Sequence, residues 1–366
     1  MTTPTKSLIV TSGSRLHFGL MELSTCQPKC FAGFGVMVED PQFCLELTGR
    51  VDVGNAEFGS GFTIEADASV KRRIEGVFAN FLNEGVIRYL PERLRVLRSL
   101  PLHSGLGAGT QLACGVAQAL LHFSDSAQGD RSGGDRSGGD GSGAEDRGQF
   151  SSLDAERLCA LSGRGLRSAI GVQGALTGGL VLDQGYPPTE AADIRGDAVL
   201  PSRRIETQWK APQHDWRVLI LLPKRQKTIA GESEAAMIDS VAQQANPHFE
   251  LMWSIARELM TRIDEVEVSE FGQKLDEYME LAGGLFRGLQ GGLYVSDSVR
   301  EAVAAARDAG LHGVGQSSWG PAVFGFAADA EQAEWSLDRL RSRLAGNECE
   351  LLSTKVAREG TRLDWK

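Results

Sequence analysis

The chain has 366 residues, more than one core usually takes, so two domains are expected. The formal net charge of −10 argues against a general nucleic-acid-binding protein, which needs a basic face. No apolar run reaches the length of a transmembrane helix or a signal peptide. Six cysteines in so long a chain are no disulfide framework, and we expect free thiols, Cys26 and Cys30 included. These features favour a cytoplasmic enzyme that binds neither membranes nor nucleic acid.

The first half of the chain is predicted to mix strands and helices. Three strand-like stretches come first: SLIVTS at 7–12, GFGVMVED at 33–40 and FCLELTG at 43–49. An amphipathic helix over 69–84 and a strand in RLRVLRSLPLHSG follow. The next helix opens near Thr110 in TQLACGVAQALLHF. SLDAERLCALSG predicts a helix capped by Ser151 or Ser152, and GGLVLDQG predicts a short strand.

A glycine-rich and polar stretch separates two of these helices. Residues 124–150 repeat DRSGG and contain almost no apolar side chains, so burial cannot offset the entropy of ordering them. We expect a disordered surface insertion whose role the sequence leaves open.

The second half restarts with the buried strand WRVLILLP. A helical region is predicted over 233–290, with breaks near Asn246-Pro247 and around Glu267. A helix that ends at Gly310 is predicted from SDSVREAVAAARDAG, and a loop followed by a strand from LHGVGQSSWGPAVFGFA. A further helix is predicted from AEQAEWSLDRLRSRLA, and a terminal strand from CELLSTKVA. This order predicts an antiparallel α/β layer, and the polar, proline-containing stretch 200–215 predicts domains at 1–205 and 214–366.

The stretch PLHSGLGAGTQLA, 101–113, is the strongest local signal. Gly105, Gly107 and Gly109 would let the backbone approach a ligand that Cβ atoms would obstruct. A helix that starts at this loop adds free N–H groups and a positive dipole end. The lysine and the Ser/Thr of a Walker A loop are absent. A phosphate cradle is therefore one interpretation, and a tight turn is the other.

Three ordered stretches resemble motifs of the GHMP kinase superfamily. SGSRLHFGLMEL at 12–23 is similar to its first motif, PLHSGLGAGTQLA to its phosphate loop and GVGQSSWGPAVFGF at 313–326 to its third motif. The resemblance spans nearly the whole chain. It implies an α+β, GHMP-kinase-like two-domain fold, with an N-terminal ribosomal-S5-domain-2-like layer and a C-terminal ferredoxin-like α/β layer.

The sequence departs from the kinases at two places. Ala108 and Gly109 fill the loop positions where most such kinases have serines, one of which helps to hold magnesium. Many of the kinases place an aspartate base seven residues before a Gly-Gly pair, and here that position is Gly171. A kinase reaction would therefore lack a metal ligand and a base, although some members of the superfamily work without that aspartate.

A closer resemblance is to the β-ribofuranosylaminobenzene 5′-phosphate synthase family, a branch of the same superfamily. RLHFGLMEL, GLGAGTQLA, GRGLRSAIG and SSWGPAVFGF carry it, and Ala108 alone departs from the branch's loop G-L-G-S-G-T-Q-L. It implies a decarboxylating pentosyltransferase of tetrahydromethanopterin biosynthesis. Phosphoribosyl pyrophosphate (PRPP) and 4-aminobenzoate or 4-hydroxybenzoate would combine, releasing CO₂ and pyrophosphate.

Candidate site residues follow from the motifs and this resemblance. Arg15 and His17 lie two apart on a strand and should share a face. Arg164 and Arg167 suit bidentate binding of the carboxylate or a phosphate. The predicted PRPP-binding residues are Gly105, Leu106, Gly107, Ala108, Gly109, Thr110, Gln111 and Lys224. The predicted substrate-binding residues are Ser317, Ser318 and Trp319, although a tryptophan is more often a packing residue.

Magnesium on the pyrophosphate of PRPP is the expected cofactor, with no organic cofactor. Glu22, Asp183 and Glu232 show no ligand spacing, so its protein ligands stay open. A homodimer is expected from the superfamily alone. Two alternatives remain: an ATP-dependent GHMP small-molecule kinase, and a non-catalytic protein that binds a phosphorylated metabolite.

Overall fold

The computed structural model describes residues 6–22, 31–52, 62–85, 89–129, 153–165, 168–185, 207–223, 246–345 and 348–366. Several predicted residues lie outside these ranges: Cys26, Cys30, Ser151, Ser152, Arg167, Lys224, Glu232 and 130–150. Across the described ranges, every helix is too short or too polar to span a membrane.

The described residues form two sheets and a short strand pair with helices between them. The strands are β1 Ser7–Glu22, β2 Phe31–Thr48, β3 Val51–Asp52, β4 Thr63–Glu65, β5 Tyr89–Leu90, β6 Arg93–Arg98, β7 Leu180–Asp183, β8 Thr207–Lys210, β9 Arg217–Pro223, β10 His312–Gln316, β11 Val323–Ala327, β12 Cys349–Lys355 and β13 Arg362–Trp365. The helices are α1 Ala68–Glu84, α2 Ala108–Gly129, α3 Ala155–Ser162, α4 Ile170–Thr177, α5 Phe249–Arg262, α6 Val268–Gln290, α7 Asp297–Asp308 and α8 Ala330–Arg343.

The first sheet is built on the long antiparallel pair β1 and β2. Its order is β13-β1-β2-β6-β4, and β7, with β8 beside it, pairs with the other end of β2. The second sheet is antiparallel in the order β10-β11-β9-β12, as predicted for the C-terminal half. Because β13 pairs with β1, the end of the chain belongs to the first sheet, although the predicted boundary 214–366 places it with the second.

A bulge in β1 changes which face of the sheet its side chains occupy. Ser12 pairs with Phe43, which packs among the helices α1 to α4, whereas Ser14 pairs with Val38, which packs in the core shared with the second sheet. Gly13 lies between them, and an added Cβ would meet the Val38 carbonyl oxygen at 2.0 Å. The extra residue therefore turns Arg15 and His17 toward the helices rather than into the shared core.

Two large cores hold these layers together. One lies under α1, α2 and α3 and includes Leu8, Val10 and Phe43. The other joins β1 and β2 to β9, β11, α5 and α6 through aromatic contacts such as Phe18 against Phe324, with ring centroids 5.4 Å apart. This second core fixes the third motif against the first strand, because it contains residues of both sheets.

The structure confirms most predicted elements and corrects a few. The strands predicted at 33–40 and 43–49 form one strand, β2. The cap of α3 is Asp154, whose carboxylate accepts the Arg157 N–H at 2.7 Å, rather than Ser151 or Ser152. The helix predicted from Thr110 begins at Ala108 and continues through Gly129, so residues 124–129 of the predicted insertion are helical. Residues 312–316, predicted as loop, form β10.

Candidate active site

Ser317 joins the three motifs at one point. Its hydroxyl donates to the Gly105 carbonyl oxygen at 2.7 Å and accepts the His17 N–H at 2.9 Å. The Ser318 N–H donates to the His17 carbonyl oxygen at 3.1 Å. Ser317 is fully buried, so these bonds are shielded from water. The first strand, the glycine loop and the third motif therefore form one continuous structure, although they lie far apart in sequence.

The glycine loop places free amides at the start of α2. Gly105 and Gly107 have φ values of 92° and 72°, which favour glycine. The N–H groups of Thr110 and Gln111 both donate to the Gly107 carbonyl oxygen. In the part of the chain that the structure describes, the N–H groups of Ala108 and Gly109 have no acceptor. The loop amides that are free to meet a ligand are thus those of Ala108 and Gly109, two of the predicted residues Gly105–Gln111.

The side chain of Gln111 has a structural role. It is fully buried, donates to the Gly171 carbonyl oxygen at 2.9 Å and accepts the Ser12 hydroxyl at 3.1 Å. Gly171 therefore lies against the loop, where the base of many related kinases is expected. A Cβ at Gly171 would lie 2.9 Å from Cγ2 of Thr110, so even a first side-chain atom is crowded there.

Arg15 and His17 face the loop and the start of α4, as their spacing predicts. A Cβ on Gly107 would lie 3.0 Å from Cβ of Arg15, and a Cβ on Gly33 would lie 3.4 Å from Nε2 of His17. His17 is only 4% exposed, and its Nδ1 has no hydrogen-bond partner among the described residues. Burial, and then the charge of Arg15, hold the pKa of His17 well below its ordinary value. His17 is therefore a neutral imidazole at pH 7.

Two arginines converge on Gly109, Arg73 from α1 and Arg164 from the turn after α3. An ideal Cβ on Gly109 would lie 3.1 Å from Nη2 of Arg164 and 3.1 Å from Nη1 of Arg73. The Arg164 guanidinium also approaches the Thr110 hydroxyl oxygen at 3.4 Å. Arg164 thus lies on the phosphate loop, as one of its predicted roles requires. Arg73, on α1, was missed by sequence reasoning, because nothing in an amphipathic helix distinguishes it from its exposed neighbours.

The third motif supplies packing as well as site residues. Trp319 is 7% exposed and packs edge-on against Phe286, with ring centroids 4.5 Å apart. The Gln316 amide donates to the Ser318 carbonyl oxygen at 2.8 Å and accepts the Val295 N–H at 3.0 Å. Ser318 itself has a φ of 55°, in the left-handed region. These bonds hold the turn after β10 in one shape.

The described residues do not fit a dedicated magnesium site. No three His, Cys, Asp or Glu side chains among them are grouped as metal ligands. Asp183 is buried, and its two carboxylate oxygens accept the N–H groups of Ala169 at 2.6 Å and Gly185 at 3.1 Å. At the loop, guanidinium groups face the position where the kinases have a serine.

Known proteins share this architecture. Residues 267–345 match the family model described as GHMP kinases C terminal. The homoserine kinase of Cytophaga hutchinsonii has a TM-score of 0.64 at 14% identity, over 100% of this chain and 99% of that one. The chain has the GHMP kinase fold. The mevalonate diphosphate decarboxylase of Staphylococcus aureus has a TM-score of 0.60 at 10% identity, over 98% of both chains. The predicted fold class is confirmed.

Curated relatives extend the likeness along the sequence. A protein of Methanothermobacter thermautotrophicus named β-ribofuranosylphenol 5′-phosphate synthase is 23% identical over 87% of this chain and 88% of its own length. A protein of the same name from Archaeoglobus fulgidus is 23% identical over 96% of this chain and 97% of its own length. The resemblance to this branch of the GHMP kinase superfamily is confirmed, and its members are enzymes.

Proposed function

We propose that this GHMP-fold protein joins PRPP to a para-substituted benzoate and releases CO₂ and pyrophosphate. The observation that carries the proposal is the glycine loop, because its free amides and the three arginines around it suit an anionic substrate. The neighbouring position where many related kinases have a base is Gly171, which has no side chain. The synthase names of the curated relatives support the same reaction. Tetrahydromethanopterin biosynthesis is the pathway that this reaction would serve.

The reaction balances without a base. The bond from C1 of the ribose to the pyrophosphate oxygen breaks, and pyrophosphate keeps the electron pair. The ring carbon that bears the carboxylate supplies the electron pair for the new bond to C1. When CO₂ leaves, the electron pair of the bond between the ring and the carboxylate returns to the ring. No proton is lost in the sum. A kinase, by contrast, must remove a proton from its acceptor alcohol, and general base help is worth roughly 10²–10⁴-fold in rate.

The chain's own residues then bind and orient charge. The Ala108 and Gly109 amides bind a phosphate of PRPP at the positive end of α2. Arg15, beside Gly107, binds a further anionic group of the substrates. His17 stays neutral because of its low pKa, so it adds no positive charge next to the cation that develops at C1. The buried surroundings of His17 and Ser317 keep water away from that carbon.

The described residues include no group of side chains that could hold magnesium, and no step of the proposed reaction depends on a bound ion. When present, it would accompany the pyrophosphate of the substrate rather than occupy a protein site. The curated relatives are named for a phenol product, which favours 4-hydroxybenzoate over 4-aminobenzoate for this chain.

The test is a release assay with benzoates that carry a ¹⁴C label in the carboxylate. With PRPP present we expect labelled CO₂, and with PRPP omitted we expect none. The two benzoates are compared at equal concentration. Release that is independent of PRPP, or none with either benzoate, would contradict the proposal.

A small-molecule kinase is the second candidate, because the homoserine kinase of Cytophaga hutchinsonii shares the fold. ATP consumption in the presence of small alcohols, such as homoserine and mevalonate, would favour it. The crowded Gly171 position, with no base, is the reason to rank it second.

A further inference from the structure

We propose that Arg73 and Arg164 together bind the pyrophosphate group of the substrate, at the place where related kinases have a serine. The proposal rests on the proposed function for its substrate, PRPP, and adds a pyrophosphate subsite and a residue, Arg73, that the motifs do not include.

The geometry brings both side chains to one point. Arg73 extends from α1 and Arg164 from the turn after α3, and each has a terminal nitrogen 3.1 Å from an ideal Cβ on Gly109. Both therefore occupy the space that a side chain at position 109 would take. A larger residue at position 109 would crowd both guanidinium groups and shift them from these positions.

Several positively charged or N–H groups meet at this point. The free N–H groups of Ala108 and Gly109 add the positive end of a 22-residue helix to the two guanidinium groups. Among the described residues, no carboxylate forms an ion pair with Arg73. Like charges brought together in a partly buried place repel, unless an anion lies between them. A bound anion would convert that repulsion into attraction.

Pyrophosphate fits this arrangement better than a single carboxylate. A third guanidinium, that of Arg15, lies beside Gly107, with Nε 3.2 Å from an ideal Cβ there. Guanidinium groups therefore face two loop positions that lie two residues apart, Gly107 and Gly109. Planar guanidinium forks bind phosphoryl oxygens in pairs, and pyrophosphate offers two phosphoryl groups. Charge on the departing pyrophosphate would thus be met by side chains of the protein.

The test measures binding of inorganic pyrophosphate by calorimetry to the full chain and two matched variants. Arg73→Gln should weaken binding by about tenfold or more, as loss of a charge-assisted hydrogen bond implies. Arg72→Gln, on the exposed neighbour of the same helix, should change it by less than about twofold. Equal effects of the two variants, or none from Arg73→Gln, would overturn the proposal. Thermal unfolding checks that both variants are folded.

Gly109→Ser provides a second route, because it leaves every charge in place. Its side chain would crowd both guanidinium groups, whose nitrogens lie 3.1 Å from an ideal Cβ, so pyrophosphate binding should weaken by about tenfold. Unchanged binding would contradict the proposed geometry. Competition of bound pyrophosphate with PRPP and with ATP identifies the source of the group. If ATP competes and PRPP does not, the subsite stands and the proposed function fails. If neither variant affects pyrophosphate binding while CO₂ release persists, the subsite fails alone.

Discussion

Replacing Ser317 with alanine tests whether the three motifs depend on one hydroxyl. The change removes two hydrogen bonds and leaves the Gly105 carbonyl and the His17 N–H buried without their partner. Each buried group left unsatisfied costs about 1–3 kcal/mol, so the free energy of unfolding should fall by about 2–6 kcal/mol. Because both groups belong to the site, the KM for PRPP should also rise.

Ser336→Ala is the matched control. Ser336 is equally buried, but its hydroxyl makes a single bond, to the Ala309 carbonyl oxygen at 2.8 Å, on α8 away from the loop. Its loss should cost about half as much, about 1–3 kcal/mol, and should leave the KM unchanged. Urea unfolding gives the free energies, and the CO₂-release assay gives the KM. If the two variants lose equal stability, or if Ser317→Ala keeps the wild-type KM, the reasoning about this junction is refuted.

Three further predictions concern single residues. Because the pKa of His17 is low in the folded chain, the unfolded chain binds a proton at this residue more readily than the folded chain does. The free energy of unfolding should therefore fall as the pH drops below about 6.5. Urea unfolding of His17→Gln at several pH values should lack this contribution to the pH dependence of the free energy of unfolding. Gly105→Ala places a Cβ 2.4 Å from the Ser317 carbonyl oxygen. It should lower the free energy of unfolding by more than Gly85→Ala, at a helix cap that also has a positive φ but has nothing within 4 Å. Equal losses in urea unfolding would refute the clash. Arg164→Ala should raise the KM for PRPP more than the KM for the benzoate in steady-state kinetics. The reverse would indicate that Arg164 binds the benzoate carboxylate instead.

The sequence predicts the fold well, because the fold depends on patterns that are local. WRVLILLP and the helix at 296–310 have unambiguous apolar periodicity, and both appear as expected. The short strands Thr63–Glu65 and Thr207–Lys210 were missed, since a few residues carry no period and form a strand only by pairing with a neighbour.

The site was predictable only where a motif marks it. The loop glycines and the pair Arg15 and His17 could be recognised as candidates, because a close backbone approach favours glycine and residues two apart on a strand share a face. The bulge at Gly13 that turns this pair toward the helices is a matter of sheet register, which the sequence does not display. Arg73 lies near the loop only because α1 packs against α2, so its place in the candidate site could not be predicted from the sequence.

The central claim is that the loop at residues 105–111 holds an activated ribose while no phosphoryl group is transferred. The most direct measurement is the product balance of one reaction that contains PRPP, labelled 4-hydroxybenzoate, ATP and a mixture of small alcohols. We expect CO₂, pyrophosphate and a ribosylated phenol in equal amounts, with ATP intact. Formation of ADP and a phosphorylated alcohol, with PRPP and the benzoate unconsumed, would contradict the account.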